Sequence, residues 1–264
     1  MSRGARNPLM RFPGVSPAAG CAFAFLYLPI TVLIALSFNE NRIATIWSGF
    51  STQWYGVVLG NDDILRAARN SIVVATSASI LGTMLATAAA LGMSRGRFRG
   101  QNGVSAVLVM PLVVPEIVTA VATLLFFVMI GFELGLLTVI VGHTVFCIPF
   151  AYLPIRARLE GLSPSLGEAA ADLYANEWQA FVRVTLPLLW PGILSGALLA
   201  FIISLDDFVI TYFVAGAGAT TLPVYIFGMI RIGVTPEVNA VSALMLVVSI
   251  LVVSFSWLIG RAHR

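Results

Sequence analysis

Apolar residues fill six long runs along this chain, and shorter, more polar segments separate them. A helix that crosses a bilayer needs about 20 consecutive, mostly apolar residues, and each run reaches that length. The runs are continuous instead of alternating, which excludes a membrane β-barrel. We therefore expect an all-α integral membrane protein with a single domain over 1–264. Its six predicted transmembrane helices cover roughly residues 18–38, 71–93, 104–130, 134–155, 188–214 and 238–260.

Composition agrees with a membrane protein. Only 10% of the 264 residues are charged and 59% are hydrophobic, whereas soluble domains carry roughly 25% charged residues. The net charge of +3 is too small and too dispersed to indicate nucleic-acid binding. Cys21 and Cys147 both lie in apolar runs, so we expect neither a disulfide framework nor a metal site.

Arginine supplies all fifteen basic residues and sets the predicted orientation. Cytoplasmic segments of membrane proteins accumulate positive charge, so we predict that both termini and the segment 156–187 are cytoplasmic. The first run continues to Phe38 without a small-residue cleavage site, which favours an uncleaved span over a signal peptide. The arginines on the predicted cytoplasmic side are Arg3, Arg6, Arg11, Arg95, Arg97, Arg99, Arg156, Arg158, Arg183, Arg261 and Arg264.

The segment 156–187 is polar, yet its pattern predicts folded structure. Ser163 before Pro164 is a favourable helix start, and Asn176 with Gln179 three residues later has the spacing of a capping box. We predict two short helices joined by a turn near residues 174–175. A folded polar element between two membrane spans indicates a surface that contacts a partner.

The same segment carries a family resemblance. Its motifs Glu168-Ala169-Ala170, Asp172-Leu173 and Leu186-Pro187 resemble the EAA motif of the permease subunits of type I ABC importers. Further stretches in order along the chain are similar to the spermidine/putrescine permeases of that family. These stretches include Pro115-Glu116-Ile117-Val118, His143-Thr144-Val145-Phe146-Cys147 and Ser204-Leu205-Asp206-Asp207.

The resemblance implies a set of partners in the bacterial inner membrane. They are a dimer of ATP-binding subunits, a second homologous permease and a periplasmic substrate-binding protein. This chain has no Gly-rich phosphate loop, so ATP and Mg would be used by the partner ATPase, and we expect neither enzymatic activity nor a bound cofactor here. The resemblance assigns ATPase coupling to Glu168, Ala169, Ala170, Asp172, Leu173, Tyr174, Leu186 and Pro187.

One of these residues departs from the family pattern, which has glycine at the position of Tyr174. A left-handed conformation there would cost a non-glycine residue roughly 1–2 kcal/mol. Either Tyr174 adopts that conformation, or the turn is rebuilt around Asn176, which tolerates it better. The sequence leaves both possibilities open.

Ionisable residues inside the membrane are costly and usually functional. Glu116 lies about 18 Å along the third predicted span, counted from Val104 at about 1.5 Å per residue, and we expect Pro111 and Pro115 just before it to kink that helix. Asp206 and Asp207 lie in the outer third of the fifth span. Carboxylates without a buried Lys or Arg suit a cation, and the ring of Tyr212 could assist by cation–π contact. We predict that Glu116, Asp206, Asp207 and Tyr212 line a substrate pathway; the alternative is a purely structural role. Adjacent positions of a helix differ by about 100°, so the two aspartates cannot face one pore equally.

The sequence therefore predicts a permease subunit that forms half of an importer's pathway for polyamines or another small cationic or zwitterionic solute. One alternative is an importer permease for amino-acid derivatives or organophosphonates, and another is an ion-coupled secondary transporter. His143 has no ligand-type neighbour at helical spacing, so we interpret it as a packed, hydrogen-bonded residue. An intramembrane hydrolase would need His143 beside Ser195 or Ser204, and nothing in the sequence places them together.

Overall fold

The computed structural model describes residues 15–43, 46–94, 98–163 and 165–262, and the regular secondary structure of this described part is helical apart from one isolated bridge between Asn39 and Phe50. The all-α prediction is confirmed. Several residues on which the predictions depend lie outside the described ranges: Arg3, Arg6, Arg11, Arg95, Arg97, Arg264 and Pro164. The helices are α1 (Val15–Ser37), α2 (Gln53–Leu59), α3 (Asp62–Ser94), α4 (Gln101–Val113), α5 (Glu116–Met129), α6 (Leu136–Glu160), α7 (Ser165–Asp172), α8 (Glu177–Ala180), α9 (Leu186–Asp206), α10 (Val209–Val214), α11 (Leu222–Ile232) and α12 (Pro236–Ala262).

Five helical segments of the described chain are long and apolar enough to cross a membrane, and the pair α4–α5 makes a sixth if it counts as one bent span. The prediction of six spans therefore holds with that bent pair included. The five segments are Pro17–Ser37, Asp62–Ser94, Leu136–Glu160, Glu177–Asp206 and Pro236–Ser254.

The kink that we predicted from Pro111 and Pro115 in the third span is a complete break of the helix before Pro115. The chain bends by 110° between α4 and α5. The cause is Pro115, which lacks the N–H that would continue α4 and forces Val114 into an extended conformation (φ −74°, ψ 131°). Glu116 is consequently the first residue of α5. Its depth cannot be counted along one straight axis, and the estimate of about 18 Å is wrong.

The fifth span departs from its predicted bounds at both ends. It breaks after Asp206, because Asp207 is extended (φ −64°, ψ 128°) before α10 begins. At its other end, a π-helical turn over Phe181–Thr185 joins α8 to α9, so that Glu177–Asp206 is one continuous helix of 30 residues. The wider turn ends two residues before Pro187, whose ring clashes with the carbonyl four residues earlier in a regular α-helix.

Helices α3, α6 and α9 pack together as the centre of the bundle, with a core that includes Ala86, Cys147, Tyr152 and Leu189. Glycine allows the closest approach. A Cβ atom on Gly196 would lie 2.7 Å from the carbonyl oxygen of Ala151. Close packing of this kind fixes the rotation of α9 against α6, and with it the direction in which residues near the end of α9 point.

Candidate functional site

The breaks in the third and fifth spans bring two acidic residues together. Glu116 is the first residue of α5, and Asp207 immediately precedes the turn that starts α10. Helices α5 and α10 pack against each other, and the two carboxyl groups are close enough to interact. A helix N-terminus carries partial positive charge, which favours a carboxylate at that position.

His143 of α6 reaches into the same place and is only 1% exposed. Its Nδ1 lies 2.8 Å from the Ser204 hydroxyl, and its Nε2 lies 2.8 Å from the Thr211 hydroxyl and 3.0 Å from Oδ1 of Asp207. An ionised carboxylate only accepts hydrogen bonds. A neutral His143 would therefore donate from Nε2–H to this acidic end and accept from Ser204 at Nδ1.

The Asp207 carboxylate is bonded on one side only. Its Oδ1 also accepts from the backbone N–H of Thr211 at 3.3 Å. Its Oδ2 is buried and has no hydrogen-bond partner within the described residues. Two neighbouring ionised carboxylates repel each other, so Asp207 and Glu116 are stabilised when a cation or a proton lies between them. No described arginine side chain supplies that charge, because each of them is exposed.

The two adjacent aspartates have different surroundings. The Asp207 side chain is 2% exposed, while Asp206 is exposed at the end of α9. The break between α9 and α10 produces this difference, and the structure groups Asp207, not Asp206, with Glu116.

Tyr212 lies in an aromatic group beside this break. Its ring contacts those of Phe208 (centroids 5.2 Å apart) and Phe227 (6.0 Å), and Tyr212 is 46% exposed. The guanidinium carbon of Arg231 lies 5.4 Å from the Phe227 ring centroid. This group of rings therefore already makes one cation–π contact within the chain.

His143 is packed and hydrogen-bonded, as predicted, and tertiary packing also brings Asp207 to its ring, a contact that the spacing of residues in the sequence does not indicate. Of the two serines that a hydrolase could use, the structure places Ser204 at His143, and His143, Ser204 and Asp207 are all buried. Ser195 is not among the described hydrogen-bond partners of His143. Within the described residues, no group of His, Cys, Asp and Glu is arranged to hold a metal ion.

The segment 156–187 forms a second candidate surface. Helix α7 ends in a turn where the N–H of Tyr174 bonds to the carbonyl of Ala171 and the N–H of Ala175 bonds to that of Ala170. This is the Schellman pattern, which requires a left-handed residue. Tyr174 adopts that conformation with φ 56°, which answers the question that the sequence left open.

The second short helix begins as the sequence predicts. The Asn176 side chain accepts from the N–H of Gln179 at 2.8 Å, and the Gln179 side chain accepts from the N–H of Asn176 at 3.1 Å. This confirms the predicted capping box.

The turn presents large side chains to the surroundings: Leu173 is 81% exposed, Tyr174 97% and Trp178 71%. Ala170 is buried, whereas Glu168, Ala169, Asp172 and Pro187 are exposed and Leu186 is half-buried. Most of the residues predicted to couple are thus accessible.

Together these features define a class: a multi-pass helical membrane transport subunit, with interrupted spans around buried carboxylates and a folded loop at one end. Residues 78–264 match the family of the binding-protein-dependent transport system inner membrane component, and the chain belongs to this family.

Curated relatives and solved structures agree with this family. The putrescine transport system permease protein PotI of Escherichia coli (strain K12) is 40% identical, over 97% of this chain and 94% of the relative. The spermidine/putrescine transport system permease protein PotC of Haemophilus influenzae is 41% identical, over 92% and 94%.

Among solved structures, a bacterial ABC transporter involved in the import of the acidic polysaccharide alginate aligns with a TM-score of 0.68 at 18% identity, over 94% of both chains. The MetNI methionine ABC transporter aligns at 0.65 and 22%, over 75% of this chain and 94% of the other. These structures support the fold of a type I ABC importer permease.

Proposed function

We propose that this chain forms half of the translocation pathway of an ATP-driven importer for putrescine or spermidine in the bacterial inner membrane. The observation that carries the proposal is the 40% identity to a putrescine permease over 97% of the chain. The pairing of Glu116 with Asp207 in a region without a buried arginine gives the proposal a chemical basis.

The carboxyl pair suits a protonated amine. A primary ammonium group donates three hydrogen bonds, and the described structure offers it the free Oδ2 of Asp207 and the neighbouring Glu116. Glu116 is only half-buried, which leaves the pair open on one side. Asp206 and the ring of Tyr212, both exposed near the same break, would form an earlier contact on the pathway.

The partner assembly is part of the same proposal. A second homologous permease would complete the pore, a periplasmic binding protein would deliver the substrate, and two ATP-binding subunits would hydrolyse MgATP. The surface around Glu168 and Tyr174 would dock on one of these ATP-binding subunits. Both termini would be cytoplasmic, as the distribution of arginine along the sequence predicts.

Uptake by the reconstituted complex tests the pathway. With its partner subunits, the wild-type protein should import radiolabelled putrescine and spermidine in an ATP-dependent manner, and γ-aminobutyrate much more weakly. Glu116→Gln and Asp207→Asn should each raise KM for the diamine by at least about tenfold, because each removes a hydrogen-bonded charge partner. Unchanged KM values would refute the carboxylate site, and uptake driven by an ion gradient without ATP would favour a secondary transporter.

The docking surface has its own test. Glu168→Lys should abolish stimulation of ATP hydrolysis by substrate or release the ATP-binding subunits, because it reverses an exposed charge in the contact. Glu133→Lys, a charge reversal in the loop between α5 and α6, is the matched control and should leave assembly intact. Normal transport by Glu168→Lys would contradict the docking role.

A further inference from the structure

His143 bridges the two sides of the break in the fifth span. Ser204, three residues before Asp207, contacts Nδ1, whereas Thr211, four residues after it, contacts Nε2. The backbone of Asp207 is extended and interrupts the helix. The imidazole ring of α6 therefore links the end of α9 to the start of α10 where the main-chain helix does not.

The same ring also orients the carboxylate at the break. Nε2 lies 3.0 Å from Oδ1 of Asp207, and both side chains are at most 2% exposed. Oδ1 is occupied by this contact and by the backbone N–H of Thr211, while the buried Oδ2 is left without a hydrogen-bond partner in the described chain. A buried acceptor without a partner costs free energy, so this arrangement favours a ligand that donates to Oδ2.

We propose that His143 is a positioning residue, which holds Asp207 through Oδ1 so that Oδ2 and Glu116 receive an alkylammonium end of the substrate. This proposal rests on the proposed function of the carboxyl pair. His143 does not touch the substrate; it acts through Asp207. A donor at the Nε2 position is essential to this role, whereas the Nδ1 contact with Ser204 only anchors the ring.

Two substitutions separate the two ring nitrogens. The side-chain nitrogen of glutamine falls near the place of Nε2, and that of asparagine falls near the place of Nδ1. His143→Gln should therefore keep the contact with Asp207 and retain a KM for putrescine close to wild type. His143→Asn should keep only the contact with Ser204 and raise KM by about tenfold, the effect of losing one hydrogen bond to a charged group. The maximal rate of MgATP hydrolysis should change much less in both variants.

The experiment uses reconstituted complex with its partner subunits and radiolabelled putrescine. Ser79→Ala is the control for a lost interhelical hydrogen bond elsewhere, since Ser79 donates to the carbonyl of Ala197 at 2.6 Å; it should leave KM unchanged. Asp207→Asn supplies the background in which His143→Asn should have no further effect on KM. If His143→Asn fails to assemble, His143→Leu, which has no side-chain donor for Asp207, replaces it and should raise KM in the same way.

The outcomes distinguish the two levels of the proposal. If Asp207→Asn leaves KM unchanged, the carboxyl site itself is refuted, and the role of His143 with it. If Asp207→Asn raises KM but the glutamine and asparagine variants of His143 behave alike, only the positioning role is refuted. An effect of His143→Asn that persists in the Asp207→Asn background would likewise show that His143 does not act through Asp207.

Discussion

Tyr174 combines a strained backbone with an unsupported side chain, and this makes the effect of replacing it predictable. Its φ of 56° lies in the left-handed region, which costs a non-glycine residue roughly 1–2 kcal/mol. Its side chain is 97% exposed, so almost no contact within the chain offsets that cost. Tyr174→Gly should therefore stabilise the isolated permease by about 1 kcal/mol, part of the relief being offset by the greater chain entropy of glycine in the unfolded state.

The same substitution should weaken assembly with the ATP-binding subunits. An aromatic anchor at the centre of a protein interface contributes on the order of 2 kcal/mol, which corresponds to about a 30-fold loss of affinity. Thermal unfolding of the purified permease in detergent measures the first effect, and binding of the ATP-binding subunits to the permease in nanodiscs measures the second. A gain in stability together with a loss of affinity would indicate that the strain at Tyr174 is retained because its side chain contributes to the interface.

Two further variants complete this test. Tyr174→Asn should also relieve strain, since asparagine tolerates the left-handed region, and should lose affinity like the glycine variant. Tyr174→Phe should retain both the strain and most of the affinity. The reasoning fails if Tyr174→Gly unfolds at a lower temperature than wild type, or if it binds the ATP-binding subunits equally well.

Other predictions concern packing and capping. Gly196→Ala should destabilise the permease by about 1–3 kcal/mol, because its Cβ would lie 2.7 Å from a backbone oxygen. Gly56→Ala, with open space around its Cβ, is the control. Equal unfolding temperatures for the Gly196→Ala and Gly56→Ala variants would contradict the packing argument. Asn176→Ala should cost about 1 kcal/mol by removing the N-cap of α8. Amide exchange at Gln179 should become faster than in wild type, whereas exchange at Leu166, which lies in another helix, should not change. Trp54→Phe should destabilise the loop after α1, because the indole N–H donates to the carbonyl of Asn39 at 2.7 Å; proteolysis within residues 39–52 that is no faster than in wild type would count against this.

Local signals in the sequence account for the parts of the fold that were predicted correctly. Apolar length located most of the spans, and the capping box at Asn176 located the start of α8, because both depend on neighbours in sequence. The breaks were harder to predict. Pro115 indicated a kink, but its angle depends on how α5 packs against α10, and no proline marks the break at Asp207.

The buried cluster was beyond prediction for a related reason. Ser204, Asp207 and Thr211 recur at helical spacing, but this spacing does not identify a partner on another helix, and His143 lies more than 60 residues away from Ser204 along the chain. Only the packing of α6 against α9 and α10 brings them into contact. Sequence patterns indicated acidic residues in the membrane, but not which aspartate faces Glu116, because that choice depends on the extended backbone of one residue.

The continuity of Glu177–Asp206 connects the two candidate sites. This helix begins at the exposed turn around Tyr174 and ends at the acidic break, and its 30 residues span about 45 Å. A regular helix transmits displacement along its axis. This helix bends most easily at its two irregular points, which are the π turn at Phe181–Thr185 and the extended Asp207. Movement of the turn around Tyr174 by an ATP-binding subunit would therefore displace the backbone at Asp207. Among the described side chains, His143 alone joins both sides of this break by hydrogen bonds. The carboxylate that would bind the substrate thus lies at the point of the helix that coupling is best able to move.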